Sequence, residues 1–489
     1  MRLLNQLYKT VLMLCLGILP VSVHAQSNQL AGTWSNLFTQ ENGINGSVNA
    51  LAIDTLGNIY VGGSFDFAGG EQADNIAVWN GASWQALGAG FDGVVSALLI
   101  DWEGNLYAGG RFTSSGPVVL NGIGRWDGNE WSPLGIGFSK ERDTGSVVSS
   151  VRALGVGPNG ELFAGGDFTH SGEVMSPGIA VWKDGLWSDV GGGVQGRGCL
   201  DLTLDNVNTI HVSDSGLVYV GGDFRQAGNL QVNGLAEWDG ANWGTVGSGV
   251  GINSCENIYS IEEYENSLFV GGAFVAIDSV VVNGIAEWNG SQWGNLEGGM
   301  SGDIFAVQGL SSTDDGLYVA GRFAQAGTIS ANNVAKWTST EWQALSSGIA
   351  SPGFLYAIKA AGRDVYVGGF LVEQAGTHPS FGVARWTISS SVHNEPLDES
   401  KYLRGNFEIY PNPILSNANI EIELIADAQY SVGIYDLLGR LVEVVHEGYG
   451  GKGVNLLSWG TRGNLPGGVY IVQLRTEGNR YHKVVSILP

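Results

Sequence analysis

Seven histidines are the first place to look for chemistry in this 489-residue sequence. His24, His170, His211, His378, His393, His446 and His482 stand far apart, and no two share the short spacing of a metal site. No Gly-x-Ser-x-Gly elbow is present to present a nucleophile. Carboxylates are numerous, at 47 Asp+Glu. Most sit in turn sequences such as "DTLGN", "DWEGN" and "DDG", where an Asp bonds its own backbone. None has the spacing of an EF-hand loop, so structural turns are expected rather than calcium sites. The sequence thus predicts no catalytic residue, no metal and no cofactor. What remains is a set of residues that differ at one fixed place. They follow a pair of glycines in a recurring phrase: Ser64, Arg111, Asp167, Asp223, Ala273 and Arg322. Arg111, Asp167, Asp223 and Arg322 carry charge and are the binding candidates.

That phrase reads "IYVGGSF" from Ile59, "LYAGGRF" from Leu106, "LFAGGDF" from Leu162 and "VYVGGDF" from Val218. It continues as "LFVGGAF" from Leu268, "LYVAGRF" from Leu317 and "VYVGGFL" from Val365. Recurrence at about 50 residues is the mark of a repeat architecture. Each unit opens with an apolar, a variable, a small and an apolar residue. These are "VNAL" at Val48, "VSAL" at Val95, "VRAL" at Val151, "VNTI" at Val207, "IYSI" at Ile258, "IFAV" at Ile304 and "LYAI" at Leu355. The glycine phrase follows, then a longer loop, then a strand ending in Trp ("IAVW", "LAEW", "VAKW"). A tight turn, Asn-Gly or Asp-Gly in several units, leads to a second Trp. Such dipeptides accept the positive φ of hairpin turns. Four short antiparallel strands at this period predict the blades of a β-propeller.

Closure is predicted from the ends. The seventh unit stops at "VARWTISSS" and lacks its second Trp, while "GTWSNL" at Gly32 to Leu37 supplies one. The expected fold is an all-β, seven-bladed β-propeller closed by the N-terminal strand. Fourteen of the 16 Trp then fall into seven pairs, with packing as their expected role. The first-second and third-fourth turns are tight and the other two connections are long. Binding residues collect on long loops of a rigid scaffold, so that face is the candidate surface.

The units resemble kelch-like and related bacterial Gly-Gly propeller repeats over about Gly32 to Trp386. "YAGGRF", Trp126 and Trp131 hold the places of the double Gly, the aromatic and the Trp, with Trp where kelch repeats usually carry Tyr. The resemblance implies the fold and little about activity. Galactose oxidase is a copper enzyme on such a scaffold, and its Tyr/His ligand set has no counterpart here.

After Trp386 the repeat ends. Residues 387–405 read as a polar linker, and residues 406–489 as a small antiparallel β-sandwich, from alternation in "IEIEL", "YSVGIYDL" and "GVYIVQL". This segment closely resembles the type A C-terminal sorting domain of the type IX secretion system of Bacteroidota. "YPNP" (Tyr410, Pro411, Asn412, Pro413), "YDLLGR" with Gly439 and Arg440, "LPGGVYIV" with Gly468 and Tyr470, and "HKVV" with Lys483 carry it. It implies passage through the periplasm to the medium or the outer-membrane surface, with the secretion machinery as partner and the tail removed. Residues 1–25 read as a signal peptide: Arg2 and Lys9, the apolar "VLMLCLGILP", and "VHA" before the cut. The propeller is expected over residues 26–386. The net charge of −24 argues against nucleic acid as a partner, and no segment is apolar enough to span a membrane. Cys199 and Cys255 can form a disulfide in an oxidising compartment or stay as thiols. The expected function is a glycan- or protein-binding or adhesion module. An extracellular carbohydrate-active enzyme and a structural surface protein are the alternatives.

Overall fold

The computed structural model describes residues 29–141, 149–196, 206–250, 256–349, 353–370, 372–389, 407–414, 417–424, 428–435, 441–460, 468–476 and 479–487. The described residues are all-β, built from many small antiparallel sheets without a helix. Seven four-stranded sheets occupy the part before residue 390, one per repeat. The first sheet takes Ser47–Ile53, Ile59–Ser64, Ile76–Trp79 and Trp84–Ala86 in sequence order. The others follow this pattern, with opening strands Val94–Ile100, Ser150–Val156, Asn206–Val212, Asn257–Tyr264, Ala306–Thr313 and Phe354–Ala361. In the seventh the fourth strand is Gly32–Trp34, paired antiparallel with Val383–Ile388. Each opening strand packs against that of the next sheet, and the seventh packs against the first.

The spacing of apolar residues dictates an irregularity at the head of every opening strand. Val48 and Leu51 are both buried although they lie three residues apart. A regular strand turns residues of odd separation to opposite faces. A β-bulge resolves the conflict: Val48 pairs with Gly63 and Ala50 with Gly62, leaving Asn49 as an extra residue. The same shift falls at Ser96, Arg152, Asn208, Tyr259, Gln308 and Tyr356.

The two glycines of each pair answer to different neighbours. A Cβ on Gly62 would strike Val95 of the next sheet, and one on Gly368 would strike Val48 of the first. The second glycine lies under the bulged backbone itself. A Cβ there would run into the carbonyl of Ser47 at Gly63, of Val94 at Gly110 and of Phe354 at Gly369. The first glycine therefore sets the approach of sheets, and the second makes room for the bulge.

The tryptophans close the other side of each sheet. First and second Trp face each other across the third and fourth strands, as in Trp79↔Trp84 and Trp34↔Trp386. Their ring centroids lie 5.0 to 5.5 Å apart in all seven pairs. The second Trp also reaches the preceding sheet: the Nε1–H of Trp131 donates to Leu87 O (3.0 Å) and that of Trp187 to Leu134 O (2.9 Å). The Asp turns are structural as expected. Asp101 Oδ1 accepts from the Asn105 amide N–H (2.8 Å), and its Oδ2 accepts from Tyr107 Oη (3.1 Å). Burial, reinforced by the Asp101 charge, pushes the Tyr107 phenol up to about 12.

Two features depart from the sequence expectation. The sixth unit opens with Val307–Leu310 ("VQGL"), not "IFAV" at Ile304. Both fit the same pattern, but only Val307 faces Gly321, the one glycine this unit keeps beside Ala320, while Ile304 is 55% exposed. The long second-third connections are themselves short hairpins, such as Phe67–Ala68 with Glu71–Gln72 and Ser114–Ser115 with Val118–Val119.

In the tail, Glu408–Tyr410, Asn417–Leu424 and Gly453–Gly460 form one sheet. Leu441–Gly450, Ala428–Tyr435, Gly468–Thr476 and Asn479–Ile487 form the other. They share one apolar core that includes Ile420, Val432, Trp459, Val472 and Val485.

Candidate functional site

The bulge squeezes one side chain per unit away from the buried face, and all seven meet in one place. Asn49, Ser96, Arg152, Asn208, Tyr259, Gln308 and Tyr356 line a single cavity of about 480 Å³, together with Val94, Arg111 and Ser150. Their chemistry is mixed. Three amides, two phenols, two guanidiniums and two hydroxyls face the space, and among the described residues no carboxylate lines it.

Several of these groups are held by the neighbouring unit. The Asn208 Nδ2 donates to Asn257 Oδ1 (2.7 Å) and to Ile258 O (3.0 Å) of the fifth sheet. Asn49 Nδ2 reaches Val95 O of the second sheet (3.3 Å), and Ser47 Oγ donates to Asn49 Oδ1 (2.7 Å). Arg152 Nη1 leans on Asn208 Oδ1 at 3.4 Å. Burial raises the Tyr259 phenol above its ordinary range; the Asp223 charge adds to this and the Arg152 charge opposes it. Tyr259 thus enters any exchange as a neutral donor and acceptor. Amides, phenols and guanidiniums around a concave space, with Asn49 and Asn208 held in place, are the equipment of a polar-ligand site.

The candidate residues named from sequence fall in different settings. Arg111 ends the second strand of its sheet, opposite Val94, and lines the cavity. Asp167 is 6% exposed and forms an ion pair with Lys140, which places it among structural groups. Asp223 is half-buried opposite Asn206; burial holds its carboxyl above the usual range, with Arg225 opposing. Arg322 lies over the ring of Phe354, 4.5 Å from its centroid, in a cation–π contact with the seventh sheet. Arg111 thus joins the seven bulge residues, and the other three do not line the space. Cys199 and Cys255 lie outside the described residues, as do residues 1–25 and Gly439 and Arg440 of the tail. Among the described residues no three His, Cys, Asp or Glu stand close enough to hold a metal.

Sequence reasoning misses the bulge residues because they occupy the variable place of the opening pattern. The signal that could find them is the separation of three between buried apolar residues, which a regular strand cannot satisfy.

The tail motifs have a structural role of their own. Tyr410 Oη donates to Glu421 Oε2 (2.8 Å) within the first sheet. Beyond Pro411 and Pro413 the chain crosses to the second sheet. Asn412 Oδ1 accepts from the Ser486 N–H (2.9 Å), and the Ile414 N–H donates to Ser486 O (2.7 Å). Lys483 Nζ meets Glu408 Oε1 at 3.0 Å, while Gly468 opens the strand that carries the buried Tyr470. "YPNP" is a strap between the two sheets.

Residues 408–487 match the family described as secretion system C-terminal sorting domain. That domain marks proteins of the type IX system, and this protein is secreted to the cell surface or the extracellular space. Among the described residues no helix is long and apolar enough to cross a membrane. Comparison with curated proteins gives no match. Among solved structures, a fungal alcohol oxidase of the AA5 family in complex with copper is similar at 11% identity and TM-score 0.43, covering 94% of this chain and 100% of its own. The computationally designed Ika8 protein follows at 16% and 0.39, covering 92% and 99%. A Trypanosoma rangeli sialidase in complex with the inhibitor DANA stands at 9% and 0.33, covering 93% and 89%. With TM-scores below 0.5, none of the three bears on the function of this chain.

Proposed function

We propose that the seven sheets are the blades of a closed, kelch-like seven-bladed β-propeller, and that the protein is a glycan-binding or adhesion module working through the cavity at its centre. The carrying observation is the convergence of seven non-equivalent bulge residues, one from each repeat, on one space. The pairing of Gly32–Trp34 with Val383–Ile388 and the packing of the seventh opening strand on the first support closure. Amides and phenols around a concave space suit the hydroxyls and apolar faces of a sugar better than a flat protein surface.

In this reading residues 1–25 are a signal peptide, residues 26–386 the propeller and residues 387–405 a linker. Residues 406–489 engage the secretion machinery, and the source is a member of the Bacteroidota. The test is a glycan array probed with the secreted protein, followed by calorimetry on the sugars retained. Binding that drops about tenfold or more in Asn208→Ala and Tyr259→Ala, both still folded at the assay temperature, supports the reading. Retention of no sugar, or equal retention by both variants, overturns it.

A further inference from the structure

We propose that the cavity takes an acidic saccharide, whose anionic group is received by Arg111 and Arg152. This deepens the glycan-binding reading and rests on it.

The argument begins with charge. The protein carries a net charge of −24, so an anion meets repulsion over most of its surface. The cavity departs from that background. Two guanidiniums line it and, among the described residues, no Asp or Glu does. They come from successive sheets: Arg111 from the end of Leu106–Arg111, and Arg152 from the bulge of Ser150–Val156. Neither pairs with a carboxylate among the described residues. Arg152 has its one side-chain hydrogen bond to the neutral Asn208 amide, and Arg111 has no side-chain partner there. Of the other cations, Arg125, Arg225 and Arg363 also bond neutral oxygens, but they do not line the cavity. Lys140, Lys183 and Lys336 are spent on carboxylates and Arg322 on an aromatic ring, which leaves Arg111 and Arg152 as the cations that face this space. Two uncompensated guanidiniums facing one space suit an oxyanion, which Arg binds with paired donors.

The rest of the lining fits the remainder of a sugar ring. Tyr259 and Tyr356 belong to the fifth and seventh sheets, away from the two arginines in sheet order, and Gln308 lies between them. Phenol rings can stack on a pyranose face while Asn208, Gln308 and Asn49 exchange hydrogen bonds with hydroxyls. Arg152 lies near enough for its charge to act on Tyr259, so a saccharide that places its anion on the arginines brings its ring to the phenols.

The experiment titrates the secreted protein with three galactose-based oligosaccharides by calorimetry. Oligogalacturonate offers carboxylates, a carrageenan oligomer offers sulfate esters, and a galacto-oligosaccharide offers neither. Binding of one acidic arm, about tenfold or more tighter than the neutral one and weakened by salt, is expected. Arg111→Gln and Arg152→Gln should each lower that affinity about tenfold or more, with unchanged melting, and Arg111→Lys should lose less. The acidic arm that binds identifies the group as carboxylate or sulfate. Equal affinity for the neutral arm, insensitive to both glutamine variants, overturns the inference and leaves glycan binding standing. Absence of binding to these three and to the wider glycan array removes both.

Discussion

Every repeat has two contrasting ends. Where the third and fourth strands meet, two tryptophans face each other in all seven sheets, and their ring separations stay between 5.0 and 5.5 Å. Where the opening strand begins, the bulge is just as regular, but the residue it extrudes is Asn, Ser, Arg, Asn, Tyr, Gln or Tyr. The backbone obeys one rule at both ends, and the side chains obey it at only one. Uniform side chains mark contacts that recur from sheet to sheet. Uniform backbone with varied side chains marks a frame that displays chemistry.

The comparison breaks most visibly if the tryptophan end is not structural. Trp386 is fully buried against Trp34, so Trp386→Ala should cost about 3–5 kcal/mol in urea denaturation. A loss below about 1 kcal/mol would remove the contrast. At the other end, Asp167 is a varied residue that serves packing. Lys140→Ala should cost about 3 kcal/mol, because Asp167 is left buried without its cation, whereas a double change to Met and Leu should be close to neutral. Gly63→Ala tests the frame itself. Its new Cβ meets the Ser47 carbonyl, and overpacking of this kind costs about 1–3 kcal/mol. A neutral result would show that the bulge can relax. Smallest of all, Asn208→Ala, which gives up two hydrogen bonds to the fifth sheet, should cost about 1 kcal/mol and Arg111→Gln no more than about 0.5 kcal/mol, while ligand affinity falls. A large melting shift in either would move them to the structural side.

Much of this frame was legible in the sequence, for a physical reason. Glycine and tryptophan are residues for which few others substitute, so the glycine pairs and the paired Trp leave an unmistakable rhythm. Period-two alternation and Asn-Gly turns mark the strands between them. The cavity is harder to see. Arg111 stands out for its place at the end of the glycine phrase, but Asp167 and Arg322 share that place and turn to Lys140 and Phe354 instead. Position in the repeat names the start of a side chain, and neighbours decide where it goes. Asn49, Tyr259 and Tyr356 escape notice because variation alone looks like solvent exposure. The sixth unit misleads for a related reason. "IFAV" and "VQGL" fit one pattern three residues apart, and only the pairing of Val307 with Gly321 separates them.

The pairing of Gly32–Trp34 with Val383–Ile388 also governs the order of events in time. A polypeptide delivered from its amino end carries Gly32–Trp34 unsatisfied until Val383–Ile388 has arrived, and joining ends so distant in sequence is slow. Until then the seventh sheet lacks its edge, and Trp34 lacks the ring it packs on. The other six sheets are each made of consecutive strands, so the seventh is the last to be completed.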